Sequence, residues 1–222
     1  MKQLEYNLTD REEMKWINCG KCVAILAVLL DHTYKTLYTN SGIAYASYFS
    51  VSLFVILSGI TSYVSYDRRK TFCIRNRILK IIIPYAVATA IYQIVYNRFF
   101  DFDQYLEYLF DFNVSGPFYF ILLYIQLILI SPILYKSIKK ISLNKFSYMF
   151  HVVLLGFIVL ISYFTTNYTN IRSVYGGGGK LFGGTYLVLF YIGMMIARRN
   201  FSWKTSKGNL LAIFISVILY LV

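Results

Sequence analysis

The chain has 222 residues, of which 58% are hydrophobic and only 14% charged, with a mean hydropathy of +0.55. A soluble domain carries about 25% charged residues, so this composition excludes an ordinary soluble enzyme and points to an integral membrane protein. The net charge of +12 does not indicate a nucleic-acid partner, because no basic stretch has the pattern of a fold that reads nucleic acid.

Residues 1–16 mix acidic and basic side chains and lead to no small-residue cleavage site, so they do not read as a signal peptide. Seven apolar segments follow, at 16–34, 43–66, 78–96, 118–135, 146–164, 181–197 and 210–222. Most reach the ~20 residues needed to cross a ~30 Å hydrocarbon core. Backbone groups in lipid must be satisfied within the segment, so these are helices despite many β-branched residues. The last segment corresponds to about 20 Å of helix, too short to cross, which suggests a chain truncated at its C-terminus. The expected fold is all-α: a polytopic transmembrane bundle of about seven helices, the last incomplete, in a single domain over 1–222. Many of the 22 tyrosines bracket the apolar runs, as interfacial aromatic belts do.

The loops give an orientation. Those at 2–15, 68–80, 136–145 and 198–207 hold seventeen of the 22 basic residues, against four (Lys35, Arg98, Arg172 and Lys180) in the alternate loops. Positive charge stays on the cytoplasmic side, so the N-terminus is expected inside and the acidic 98–117 loop outside.

The polar groups within this apolar chain are the candidates for chemistry. In "KCVAILAVLLDH", residues 21–32, Lys21 and His32 lie eleven residues apart, close to three helical turns and about 16 Å along the axis. They therefore share one face, which either lines a polar cavity or lets His32 reach the outer interface. Asp31 points about 100° away and is placed to pair with Lys35 at i+4. "RRKTFCIRNRILKIIIPY", residues 68–85, is either a positive-inside loop or an anion site, with Arg77 and Lys80 at i and i+3 able to hold one phosphorylated ligand. "CGKC", residues 19–22, lacks the βαβ context of a redox motif, and three cysteines with two histidines make no metal site. "YGGGGKLFGG", residues 175–184, is not a phosphate loop, since Leu181 stands where a Ser or Thr is required. His151 reads as an interfacial residue. In the helix over 118–135, Tyr119, Tyr124 and Gln126 need partners, supplied by another helix or by a cavity wall.

Four features occur in order: Lys21 with His32 after ten residues; Phe54 to Gly59 in "LFVILSG", read as a turn; Arg77 and Lys80 followed by Pro84; and "YFILLYIQLILISP" over 119–132. Together they resemble the membrane-bound acyltransferase-3 family, most of all members acting on surface polysaccharide. Lys stands at 21 and 80 where the family usually has Arg, which keeps the charge and removes the planar fork. Members usually have about ten helices, more than this chain holds.

The resemblance implies an enzyme of the cell membrane that moves an acyl group, acetyl or succinyl, from acyl-CoA to a hydroxyl of a cell-surface glycan. It also implies roles: His32 as general base, and Lys21, Arg75, Arg77 and Lys80 as the seat of the donor. Acyl-CoA would be a donor substrate rather than a resident cofactor, and the partners would be acyl-CoA, a glycan or lipid-linked saccharide, and the bilayer. The alternatives are a polysaccharide transporter or flippase, and an inactive truncated fragment.

Overall fold

The computed structural model describes residues 2–34, 36–69, 71–112, 115–141, 147–168, 182 and 184–198. Among these, the regular elements are helices: α1 (Lys2–Thr33), α2 (Ser41–Ser47), α3 (Ser50–Arg69), α4 (Ile74–Asn97), α5 (Phe102–Asp111), α6 (Tyr119–Ile141), α7 (Ser147–Tyr168) and α8 (Tyr186–Arg198), with a 3-10 turn at Gly116–Phe118. The fold is the all-α membrane bundle that the composition demands. By length and apolarity, α4 and α6 are each able to cross a membrane, and Met149–Thr165 in α7 and Tyr186–Arg198 in α8 are shorter apolar stretches.

The core lies between α3, α6, α7 and α8. Val55, Leu123, Leu127, Ile138, Ile158, Leu187, Phe190 and Met194 are buried there. α1 packs on α3 through a second cluster of Ile17, Leu57 and Ile60. The outward faces are equally apolar: Ile83, Val87, Ile91 and Ile94 form an exposed stripe along α4, and Val153, Phe157, Leu160 and Phe164 one along α7. A soluble protein rarely leaves so much apolar surface uncovered; in a bilayer these stripes meet acyl chains.

Several boundaries differ from the sequence reading. α1 begins well before residue 16, because its charged first half is helical and extends the rod beyond one bilayer thickness. The second apolar segment is broken into α2 and α3 around Tyr48, although no Gly or Pro marks the break. Asn40 starts α2 by accepting a hydrogen bond from the Gly42 amide at 2.9 Å. The acidic loop contains a helix, α5, capped by the Asp101 carboxylate, which accepts from the amides of Asp103 and Gln104. α8 starts five residues later than the apolar run, after Phe182 and Gly184 adopt positive φ of 55° and 66°. The segment over 210–222 and the Gly-rich run up to Leu181 lie outside the described residues.

Gly59 does not sit in a turn. It lies in the middle of α3, where a Cβ would stand 2.2 Å from the Phe190 carbonyl oxygen of α8; a Cβ on Gly193 would stand 2.1 Å from the Ile56 oxygen. The two backbones touch at this crossing, and only a pair of glycines permits it.

Candidate functional site

Lys21 leaves α1 toward α3. Its Nζ donates to Thr61 Oγ1 at 2.8 Å and stands 5.9 Å from the centre of the Phe54 ring. Arg77, on the first turn of α4, turns inward against the same helix. One of its terminal nitrogens donates to the Tyr66 hydroxyl and the other to Ser62 Oγ, both at 2.7 Å, and its guanidinium lies over the Tyr66 ring at 5.2 Å. Tyr66 in turn shares a hydrogen bond with Ser131 of α6, whose hydroxyl donates to the Ile128 carbonyl at 2.7 Å. Arg77 is thus held by neutral hydroxyls in a chain that ties α4, α3 and α6 together.

Lys21 and Arg77 thus bind adjacent residues of α3, Thr61 and Ser62. Among the described residues, no carboxylate pairs with either; the ion pair present, Lys139 to Asp67 at 3.2 Å, joins α6 to the end of α3. Two neighbouring, partly buried cations without an acidic partner among the described residues make a candidate seat for an anion. Arg75 and Lys80 do not join them, since both side chains are exposed. Lys80, three residues on, lies only about 60° round the helix from Arg77, but its side chain is exposed where that of Arg77 is half-buried.

His32 is in the last turn of α1, and its side chain is exposed toward a pocket of about 250 Å³. α1 contributes Ile25, Val28, Leu29 and His32 at helical spacing, α3 contributes Val51 and Phe54, and Pro117, Tyr119 and Phe120 close the wall from the start of α6. Phe54 borders both places, with Lys21 near its face and the His32 pocket at its side. Lys21 and His32 therefore occupy one stripe of α1 that faces α3, as their spacing requires.

The remaining polar residues resolve individually. Gln126 accepts the Phe182 amide at 2.5 Å, so it fastens the entry to α8. Tyr124 packs on Phe54 and Phe120, while Tyr119 lines the pocket. His151 is half-buried rather than simply interfacial. Its Nδ1 meets the Tyr191 hydroxyl at 3.2 Å and its Nε2 meets Arg198. A guanidinium only donates, so Nε2 accepts and Nδ1 carries the proton. Cys19, Cys22 and Cys73 are exposed thiols, and no group of metal-ligating side chains occurs among the described residues.

Thr61, Ser62 and Tyr66 were not singled out from the sequence. A signal exists: Ser58, Ser62 and Tyr66 recur every four residues along α3, and all three are buried.

A family model for an acyltransferase domain, acyltransferase-3, matches residues 14–222. No curated protein and no solved structure matches the chain. A match over nearly the whole chain, on a helical membrane bundle, decides the matter: the chain belongs to the acyltransferase-3 family.

Proposed function

We propose that this protein is an integral membrane O-acyltransferase that moves a short acyl group from acyl-CoA to a hydroxyl of a cell-surface glycan. The observation that carries this reading is the stripe from the Lys21–Arg77 cation pair, past Phe54, to His32 in the wall of a pocket. Phosphate groups of the donor sit against the two cations, where charge-assisted hydrogen bonds are strongest. The exposed Arg75 and Lys80 add a positive field at the entrance. The thioester reaches the His32 end.

There, neutral imidazole takes the proton of the acceptor hydroxyl as its oxygen attacks the thioester carbonyl. A C–O bond forms and the C–S bond breaks. The departing thiolate recovers the proton from His32, so the base is regenerated and no further reactant is consumed.

The test is mass spectrometry of the glycan from cells carrying the wild type or His32→Ala. General-base catalysis contributes about 10²–10⁴-fold, so acylation should fall by at least a hundredfold with expression intact. Wild-type acylation in the variant would remove His32 from the mechanism.

A further inference from the structure

We infer that the pocket beside His32 receives the hydrocarbon chain of the donor's acyl group, and that this chain is an uncharged alkyl of butyryl to hexanoyl length. The inference rests on the acyl-CoA reading above and names its donor.

Size sets the length. A pocket of about 250 Å³ holds roughly eight groups of about 30 Å³, the volume share of a water-sized group. The carbonyl and sulfur of a thioester occupy about three of these places, leaving room for about five chain carbons by the same measure. Acetyl would leave most of the space empty.

The lining sets the chemistry. Leu29, Val51, Phe54 and Phe120 present only carbon, and among the described residues the polar side chains in the wall are His32 and Tyr119. Lys21 and Arg77 lie outside the lining. Among the described residues no cation lines the wall, so a succinyl carboxylate would give up water there without a fixed charge to replace it, and His32 must be neutral to act as base. An alkyl chain meets no such penalty. It gains from burial, by about fourfold in affinity for each methylene removed from water.

Position sets the occupant. Phe54 stands between the cation seat and the pocket, so a donor whose phosphates lie at Lys21 and Arg77 points its other end into this space. Phe54 and Val51 on α3 then determine how long a chain fits.

The experiment measures binding of the full 222-residue chain in nanodiscs to non-hydrolysable thioether analogues of acetyl-, butyryl-, hexanoyl-, octanoyl- and succinyl-CoA, with free coenzyme A as the baseline for every variant. Affinity should rise about fourfold per methylene from acetyl to hexanoyl, and stop rising at octanoyl. Phe54→Ala should extend the rise to octanoyl, and Val51→Trp should flatten it.

A flat series in the wild type, with coenzyme A still bound, would overturn the pocket assignment and leave the acyl-CoA reading standing. Succinyl binding as tight as butyryl would do the same. So would an undiminished rise in Val51→Trp, because the chains would then be entering lipid. Loss of binding for coenzyme A and every analogue would overturn both readings together.

Discussion

A guanidinium has five N–H donors in a planar fork, and Arg77 directs two of them into the protein, to Tyr66 and Ser62. This arrangement fixes the plane of the fork and leaves the other donors for a ligand. Arg77→Ala should weaken acyl-CoA binding by roughly 10- to 150-fold, the equivalent of about 1.5–3 kcal/mol for a charge-assisted contact. Unchanged affinity in the purified variant would return Arg77 to a purely structural role. Tyr66→Phe separates position from charge. It keeps the ring beneath Arg77 and removes the hydroxyl that holds it, so KM for the donor should rise several-fold while kcat stays within about twofold, as expected for a neutral hydrogen bond of about 1 kcal/mol. An equal fall in kcat with KM unchanged would show that Tyr66 does not act through donor binding.

Among helix pairs, α3 and α8 are joined most intimately, through Gly59 and Gly193. The atoms that a new Cβ would strike are backbone atoms, which cannot rotate away as a side chain can. Gly59→Ala should therefore force the helices apart and destabilise the protein by about 1–3 kcal/mol, the usual penalty of overpacking. Gly156, on α7, has nothing within 4 Å of its would-be Cβ. Gly156→Ala should be neutral or stabilising by up to about 1 kcal/mol, since alanine is the better helix former. Thermal unfolding in detergent distinguishes the pair: a lower Tm for Gly59→Ala and an equal or higher one for Gly156→Ala. A fall of equal size in both would mean that the crossing is not as close as the backbone distances say.

Across the whole molecule, the ends of α3, α6 and α8 meet the starts of α4 and α7. Arg77, Asp67, Lys139, His151 and Arg198 all lie near these ends. The opposite end gathers the last turns of α4, the acidic α5 and the first turn of α6, where Gln93 donates to the Asp101 carbonyl at 2.8 Å and Asn97 to Gln104 Oε1 at 2.7 Å. The two ends thus differ in charge as the loops do, and the positive end is expected in the cytoplasm. A cysteine introduced as Asp103→Cys should react with an impermeant thiol reagent added from outside to intact cells. Labelling from the cytoplasmic side alone would reverse the orientation.

The sequence by itself determined the class of the molecule and the motifs of its family. Apolar runs in lipid leave the backbone no choice but helix, and an eleven-residue spacing on a helix places Lys21 and His32 on one face whatever surrounds it. It also showed which loops hold the charge. Only the tertiary structure decided which cations face the same space. Arg75, Arg77 and Lys80 are alike in charge, yet only Arg77 is brought to Lys21, because Tyr66 and Ser62 of a different helix supply its hydrogen bonds. The break before α3 carries no Gly or Pro signal in the sequence, whereas the helix within the acidic loop has a local cap at Asp101. Periodicity records which side of a helix is apolar; it does not record which neighbour that side will meet, and the neighbour fixes where Gly59 crosses α8 and where the His32 pocket lies.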